Sequence, residues 1–394
     1  MGGAARRYHC AVLTDPLAIV VVLAAVVLLA VFLEERYALF RSLGSALVGI
    51  LAGMALSNAG LIPGESPAYE FLMGTGVSVG IALILLGVDL RTVVQAGPRM
   101  LGAFLIGAVG TAIGAGAGGV LLAGRVGPET WKLAGQYTGT YTGGGMNFAA
   151  LGQAFDTSSS LFAAATAADV IITAVWMVVC LGAPLVFSRS RTASAAPDAR
   201  EVSPTVGPPT LERRLHTTTR RVVLGDVAAL GTIAIGSVWL AGAIETRIPA
   251  VPAVLWLTTI VLILAQVPAV KRLSGAALLG NYLVLLFLAS NGARSVVSTM
   301  LGVGPAVLYF ALMTVAIHGA IIFGVGRIFR IDLPTLAVAS QANVGGAASA
   351  IALAGARGYG DRLVPGVAVG LLGYALGNYS GFAVAALLRG WLTG

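Results

Sequence analysis

Apolar residues occur along this chain in blocks of about 20, the length that a helix needs to cross the apolar part of a bilayer. Short polar or glycine-containing connectors separate the blocks. The pattern predicts ten spanning helices, five in each half of the chain. Their approximate ranges are 16–33, 42–58, 69–88, 100–123 and 159–187 in the first half, and 222–243, 251–268, 276–293, 302–326 and 363–388 in the second.

Two further segments, near 134–157 and 333–358, are too polar and too rich in glycine for lipid-facing helices. The first contains TYTGGGMNFAALGQAF and the second contains QANVGGAASAIALA. Each glycine costs a helix about 1 kcal/mol relative to alanine. Main chain without helical hydrogen bonds is tolerated at membrane depth only where protein or a water-filled cavity satisfies it. The two segments therefore predict broken or re-entrant helices with accessible main chain, which is typical of a transporter binding site when both halves have one.

The two halves also resemble each other outside these segments. GVDLRTVVQAGP (87–98) and GARSVVSTMLGVGP (292–305) both follow an apolar helix. Gly143 comes 46 residues after Gly97, and Gly345 comes 41 residues after Gly304. This order indicates a duplication. If the glycine segments dip into the membrane and return, the repeats are inverted; if they cross it, the repeats are parallel. The distribution of Lys and Arg does not decide between the two topologies.

Composition and charge define the class of protein. Hydrophobic residues form 57% of the 394 and charged residues 10%, with a mean hydropathy of +0.92. Soluble domains average about 25% charged residues, so an integral membrane protein is predicted. The net charge of +8 lies in the connectors, as the positive-inside bias produces, and no basic stripe suggests a nucleic-acid partner. Cys10 and Cys180 suit neither a disulfide framework nor a metal motif.

The predicted domains follow from this division. Residues 1–187 form a first membrane repeat and residues 222–394 a second. The hydrophilic stretch 188–221, which has seven arginines, is predicted to be a flexible cytoplasmic linker.

The two glycine segments resemble the signature segments of the YjcL-like family of uncharacterised membrane proteins, which is related to the sodium–glutamate symporters and the 2-hydroxycarboxylate transporters. The resemblance covers nearly the whole chain. It implies an all-α polytopic membrane protein of two inverted five-helix repeats, each with a re-entrant or broken-helix segment, divided into a scaffold and a transport domain. It also implies a homodimer. No arginine of this chain matches a known carboxylate clamp, so the resemblance does not identify the substrate.

The resemblance places the hairpin tips on specific glycines, each with a neighbouring asparagine. The first tip is Gly143, Gly144 and Gly145 with Asn147, and the second is Gly345 and Gly346 with Asn343. These asparagines either cap the broken helix ends or present their amides to a ligand.

Asp169 is the most interior carboxylate of the chain. A charge at the centre of a membrane helix costs roughly 2.5–3.5 kcal/mol on insertion scales. Thr166 and Thr173 lie three residues before it and four after it, on the same helical face. The three side chains are predicted to hold sodium or a proton; a structural pairing of Asp169 with a hairpin N–H is the alternative.

The remaining candidates are polar residues of the hairpins and of the last helix. Tyr374 and Asn378 lie four residues apart, and they suit either a ligand or an interhelical hydrogen bond. His318 is predicted to make one structural hydrogen bond, and the pairs Asp89 with Arg91 and Asn291 with Arg294 to act as interfacial anchors or gates. The predicted substrate and ion site comprises Thr140, Thr142, Gly143, Gly144, Gly145, Asn147, Thr166, Asp169, Thr173, Ser340, Gln341, Asn343, Gly345, Gly346, Tyr374 and Asn378. Asp169, Asn147 and Asn343 are the candidate sodium ligands.

The expected function is ion-coupled secondary transport of a small organic solute, amino-acid-like or a carboxylate, by an elevator-type mechanism. Sodium or protons would drive it, no cofactor is expected, and the bacterial inner membrane is the expected location. A monovalent cation/proton antiporter or a channel-like pore is the alternative. An enzyme is not expected, because the three histidines do not form a catalytic cluster, and no phosphate-binding loop occurs.

Overall fold

The computed structural model describes residues 13–94, 96–187 and 222–393, and within these ranges the chain is helical with no strand. The predicted linker 188–221 and Cys10 lie outside the described residues. The helices are α1 (Pro16–Arg36), α2 (Ala38–Asn58), α3 (Pro67–Leu85), α4 (Leu90–Val94), α5 (Gly97–Val126), α6 (Thr130–Gly143), α7 (Gly145–Ala154), α8 (Ser159–Phe187), α9 (Leu224–Glu245), α10 (Ala253–Ala265), α11 (Pro268–Lys271), α12 (Ala276–Ala293), α13 (Val297–Ile328), α14 (Leu333–Ala356) and α15 (Gly360–Thr393).

Nine of the described helices are long and apolar enough to span a membrane, and Leu43–Asn58 and Ala253–Ala265 are shorter apolar helices. The all-helical class and the integral membrane character predicted from the sequence are therefore confirmed. Asp15, Ser66 and Asp332 each cap the helix that follows, and a proline occupies its first turn. Both features are typical of helix starts. A π-helical turn at Leu72–Gly76 interrupts α3.

The helices pack in two groups. In the first, α1, α2, α3 and α12 enclose a core of their own, and α9 and α10 pack beside α3. In the second, α5 packs along α13, and α15 packs along α6 and α14. Contacts between the two groups are fewer than contacts within each group. They come mainly from α7, α8 and α15 of the second group.

Helices α6 and α7 form a helical hairpin, here called hairpin 1. The Asn147 amide donates to the carbonyl of Gly139 at 3.2 Å, and the Lys132 ammonium donates to the carbonyl of Asp156 at 2.7 Å. The outer ends of the two arms meet where the Ser158 hydroxyl donates to the Glu129 carboxylate at 2.5 Å. The second arm therefore returns alongside the first from a tip at Gly144.

Helix α14 also folds back, at Gly346, and forms hairpin 2. A Cβ atom on Gly366 of α15 would lie 2.7 Å from Val338 of the first arm and 3.4 Å from Ala350 of the second. Arg362, which follows the second arm, donates to the Asp332 carboxylate at the start of the first arm at 3.0 Å. Both ends of α14 therefore lie at the same end of the molecule, although its length alone would allow it to span.

Helix α15 places the two hairpins end to end. Its first part contacts hairpin 2 near Gly366 and Gly370, and its later part contacts hairpin 1 near Gly373, Gly377 and Gly381. At the last three positions the main chains come close: a Cβ on Gly373 would lie 2.5 Å from the Thr142 carbonyl oxygen. The tips consequently face each other beside the middle of α15.

Candidate functional site

The two hairpin tips lie so close together that an added Cβ on either tip would contact the main chain of the other. A Cβ atom on Gly144 would lie 3.5 Å from the Cα of Gly346, and one on Gly346 would lie 3.4 Å from the Gly143 carbonyl oxygen. Gly144 has φ 98° and Gly346 has φ 75°, values that residues with an L side chain rarely adopt. The positive φ thus favours glycine at both positions of the sharp reversal, whereas an added Cβ would make only ordinary van der Waals contact. The sequence analysis placed several glycines at each tip. In the structure the helix is interrupted at one of them in each hairpin, at Gly144 in the first and at Gly346 in the second.

Tyr374 of α15 lies at this contact. A Cβ on Gly144 would be 3.7 Å from its ring, and one on Gly346 would be 3.7 Å from its hydroxyl. The same tyrosine lines a cavity of about 130 Å³ between α15, the second arm of hairpin 2 and α3. Tyr374 therefore connects the tips with the boundary between the two helix groups.

The two predicted asparagines are buried near the tips and hydrogen-bond to main-chain carbonyls. Asn147 donates to the carbonyls of Gly139 and Gly373, at 3.2 and 3.0 Å, which ties both arms of hairpin 1 to α15. Asn343 reaches the Thr142 carbonyl of hairpin 1 at 3.4 Å in one amide orientation. In the other orientation it donates to the carbonyls of Ala339 and Phe104 at 3.2 Å. Helix α7 has no side-chain cap at Gly144, and the described hydrogen bonds of the Asn147 amide go to carbonyls of α6 and α15.

Several buried polar atoms of the hairpins have no hydrogen-bond partner among the described residues. They are the hydroxyls of Thr140 and Thr142 and both amide atoms of Gln341. All three side chains are completely buried. Buried polar groups in proteins are nearly always paired, so unpaired ones in both hairpins indicate a ligand, an ion or water nearby. These three residues were all in the predicted site.

Asp169 lies beside hairpin 1 instead of between the tips. Its carboxylate accepts a hydrogen bond from Thr173 at 3.3 Å and lies near the Tyr141 hydroxyl, three residues before Gly144. Thr166 donates to the carbonyl of Phe162, within its own helix. Among the described residues, the Asp169–Thr173 pairing thus agrees with the predicted oxygen cluster, whereas Thr166 does not join it.

Asn378 also has a partner in the other helix group. Its amide nitrogen donates to the Thr258 hydroxyl of α10 at 3.0 Å, while its amide oxygen has no partner within the described chain. It lines a very small cavity together with Asn147 and Tyr374. The interhelical alternative for Asn378 is therefore realised in this structure, next to the tips.

His318 makes more contacts than the sequence indicated. Its Nδ1 lies 2.8 Å from the Gly107 carbonyl oxygen and 3.0 Å from the Thr111 hydroxyl, and its Nε2 lies 2.9 Å from the Ser340 hydroxyl. Thr111 donates in turn to the Tyr141 carbonyl at 2.8 Å. The Gly107 carbonyl can only accept, so Nδ1 donates to it, in agreement with the predicted structural hydrogen bond. The other contacts arise because residues distant in sequence converge on this buried ring.

Ser340 connects hairpin 2 to two helices. It is hydrogen-bonded to His318 of α13 and accepts from the Trp176 indole N–H of α8 at 2.9 Å. Thr111 and Trp176 were not among the predicted residues. Neither has a sequence signal, since a lone threonine or tryptophan in an apolar helix is common.

Comparison with known proteins gives the family. A family profile described as protein of unknown function (DUF819) matches residues 18–391. The chain belongs to this family. The DUF819 match includes both hairpins, the helices that surround them and the predicted linker. The chain is also 26% identical over 360 residues to the uncharacterized membrane protein YjcL of Bacillus subtilis (strain 168), a match that covers 89% of this chain and 91% of that protein.

Proposed function

We propose that this chain is an ion-coupled secondary transporter of a small organic solute, and that the solute binds where the two hairpin tips meet. The observation that carries the proposal is the contact between Gly144 and Gly346, buried inside the helix bundle. Paired broken segments in corresponding positions of two halves are typical of transporter binding sites. The proposed relation to the sodium–glutamate symporters and 2-hydroxycarboxylate transporters rests on the same feature.

The arrangement of the hairpins supports an inverted topology. Helix α14 is among the nine apolar helices, but it folds back; leaving it out and adding the two shorter helices gives ten spanning helices. Five then precede the linker and five follow it. With the arginine-rich linker in the cytoplasm, hairpin 1 opens to the outside and hairpin 2 to the inside. In this topology both hairpins are re-entrant.

Burial supports the same topology. In α14, 78% of the most apolar 18-residue stretch is buried, against 22% in α9. In α6 every residue from Leu133 to Gly143 is buried. Interrupted main chain at membrane depth requires this enclosure, because lipid offers no hydrogen bonds.

The ends of the hairpin arms explain how a solute and an ion could bind together. The second arm of each hairpin begins at the tip, so two helix N-termini with partial positive charge point to the contact. The first arms end there, and their carbonyl ends suit a cation such as sodium. The unpaired hydroxyls of Thr140 and Thr142 and the Gln341 amide oxygen add neutral oxygen ligands. This chemistry favours a solute with an anionic group, bound together with a cation.

The two helix groups suggest the moving parts. The group that contains α5, α8, α13, α15 and both hairpins is the proposed transport domain, and the group around α1–α3 and α9–α12 is the proposed scaffold. Since contacts between the groups are few, one can slide past the other in an elevator-type movement. We place the homodimer interface on the scaffold and the protein in the bacterial inner membrane.

Asp169 is the proposed coupling residue. Through Tyr141 it is adjacent to the tip of hairpin 1, so its charge state can affect the site without direct contact with solute. Sodium and protons both remain possible coupling ions, because a carboxylate with a threonine hydroxyl suits either. A cation/proton antiporter is the second candidate, and the Asp169–Thr173 pair is the observation that favours it.

Counterflow in proteoliposomes tests the proposal. Purified protein is first screened by thermal shift against amino acids, carboxylates and small peptides, with and without sodium. Vesicles are then loaded with the stabilising solute and diluted into a trace of radioactive solute. A transporter accumulates label transiently and saturates; a channel equilibrates without an overshoot, and an enzyme alters the solute chemically. Cation flux that needs no organic solute would favour the antiporter and contradict solute transport.

A further inference from the structure

A second polar cavity lies away from the tips, at the open end of hairpin 1. It has a volume of about 210 Å³ and lies between this hairpin, the π-helical turn of α3 and the end of α12. Pockets for drug-sized ligands are roughly 300–1,000 Å³, so this one suits a small solute. A π-helical turn is rare and frequently occurs at functional sites.

Two charged residues of opposite sign line this cavity. Asp156 comes from hairpin 1, and Arg294 comes from the junction of α12 and α13. Among the described ion pairs, none joins these two side chains. Glu129 and Lys132, also at the open end of hairpin 1, pair with each other at 2.8 Å. The cavity thus has one fixed negative and one fixed positive charge that do not neutralise each other by direct contact.

Two buried polar side chains also line the cavity without a partner. The Thr157 hydroxyl and the Asn291 amide oxygen have no hydrogen bond to any described residue. Their residues are only 4% and 2% exposed. A hydroxyl can donate to a carboxylate and an amide oxygen can accept from an ammonium group. The Thr157 hydroxyl can therefore bind an anionic group, as Arg294 can. The Asn291 amide oxygen can bind a cationic group, as Asp156 can.

The cavity at the opposite end of the boundary is different. It has a volume of about 260 Å³ and contains Asp89 and Lys271, which form an ion pair at 2.5 Å. There the acid and the base satisfy each other. Of these two cavities, the one at the open end of hairpin 1 is therefore the one whose positive and negative charges are available to a solute.

We propose that this outer cavity binds a small zwitterion of the amino-acid class, with Arg294 facing its carboxylate and Asp156 facing its ammonium group. Thr157 and Asn291 complete the site with one hydrogen bond to each charged end. In the topology proposed above, the cavity opens to the outside, next to hairpin 1. Its role as the entry site of the transported solute rests on the proposed function, whereas binding itself does not.

Matched small molecules test this site. L-alanine has both charged groups, propionate lacks the ammonium group, and ethylammonium lacks the carboxylate. Binding to the purified full-length protein is measured by calorimetry. L-alanine should bind at least about tenfold more tightly than either analogue, since each analogue loses a charge-assisted hydrogen bond. Equal binding of the three molecules, or no binding of L-alanine, would overturn the proposal.

Two variants assign the charges. In Asp156→Asn, L-alanine should bind no better than propionate, because the partner of the ammonium group is neutral. In Arg294→Gln, L-alanine should bind no better than ethylammonium. Asparagine is a suitable replacement because Asp156 has φ 49°, which asparagine tolerates. Glu65→Gln and Arg247→Gln neutralise exposed charges outside the cavity and should change nothing. Unaltered discrimination in both cavity variants contradicts the assignment.

One further variant separates this proposal from the transport proposal. Gly346→Ala strains the tip of hairpin 2, which lies next to the tip of hairpin 1, whereas the cavity lies at the open end of hairpin 1. L-alanine binding that persists in Gly346→Ala and responds to the charge variants supports the cavity even if no transport is detected. Loss of all binding in Gly346→Ala, with the protein still folded, would place the zwitterion at the tips and overturn the outer site.

Discussion

Gly144 and Gly346 come from opposite halves of the chain, 202 positions apart, and a Cβ added to either would contact the main chain of the opposite hairpin. Neither has a side chain to separate the hairpins, and both have a positive φ. Tyr374 covers the contact. The centre of the molecule is therefore made of backbone, and its chemistry is that of peptide groups and helix ends.

Gly144→Ala and Gly346→Ala should each abolish or strongly reduce uptake. A non-glycine residue in this conformation costs about 1–3 kcal/mol, and this strain would act at the place where the two tips meet. A β-branched residue at Gly345 should act similarly, because its Cβ would lie 2.8 Å from the Gln341 amide nitrogen. The measurement is solute uptake into proteoliposomes at equal amounts of folded protein.

Two other glycines separate strain from a function at the tips. Gly145 has a helical φ and open space around it, so Gly145→Ala should transport normally. Gly358 also has a positive φ, 69°, and open space around it, but it lies at the open end of hairpin 2, away from the tip. Gly358→Ala should therefore lower the melting temperature without loss of uptake. If Gly358→Ala inactivates as Gly346→Ala does, general destabilisation explains the effect.

Asp169→Asn should remove the dependence of uptake on the coupling ion. The substitution keeps the shape but removes the charge that a cation or proton would neutralise. Thr173→Val should weaken the ion dependence, because its hydroxyl donates to Asp169. Thr166→Val is the control, since Thr166 bonds only within its helix. Uptake is measured over a range of sodium concentration and pH; an unchanged response in Asp169→Asn excludes this residue as the coupling site.

Stability should fall in acid through Asp332 at the open end of hairpin 2. Partial burial acts to raise the pKa of Asp332, but hydrogen bonds from the Thr335 N–H and hydroxyl and the charge of Arg362 outweigh it and lower the pKa below its ordinary value. The folded state therefore stabilises the ionised form of Asp332 more than the unfolded chain does. This contribution is present above the unfolded pKa of about 3.9 and is lost as the pH falls through the lower, folded value.

Two variants of Asp332 divide the effect. Asp332→Asn keeps an N-cap but loses the ion pair, so its unfolding should depend less on pH below about 4. Asp332→Ala loses the cap as well and should cost about 1 kcal/mol more. The exposed ion pair itself should contribute no more than about 1 kcal/mol. Thermal unfolding between neutral and acid pH measures both, and identical acid profiles for wild type and Asp332→Asn would contradict the assignment.

Ser340→Ala should destabilise the fold. The variant leaves the His318 ring nitrogen and the Trp176 N–H unpaired in a buried place, and a buried unsatisfied group costs about 1–3 kcal/mol. Thr232→Ala removes an exposed hydroxyl that bonds within its own helix and should leave the melting temperature nearly unchanged. Equal melting temperatures for the two variants would show that the Ser340 bonds contribute little.

The sequence predicted the parts of the structure that depend on local composition. Apolar blocks predicted the long helices, and glycine runs predicted the two interrupted segments near their observed positions. Steric rules fix these features locally: a glycine run frustrates a helix wherever it occurs. Tyr374 was predicted from its place in a polar stretch of the last helix, and it lies at the tips.

Contacts between distant residues were not predictable in the same way. The Asp169 carboxylate lies near Tyr141, and His318 meets Thr111 and Ser340, because of how α5, α8 and α13 pack around the hairpins. Single polar residues in apolar helices contain no information on their partners. The outer cavity has the same origin, since Asp156 and Arg294 belong to different halves of the chain.

The glycines of α15 have a mechanical consequence. At Gly373, Gly377 and Gly381 this helix packs closely against main-chain atoms of hairpin 1, and the side chains of Asn147 and Leu151 fill the space beside the last two glycines. A movement of hairpin 1 away from α15 would break the close main-chain contacts between them along three helical turns. In the proposed elevator-type movement, hairpin 1 and the second half of α15 would therefore move together, and an opening on that side would lie along the boundary with the neighbouring helix group.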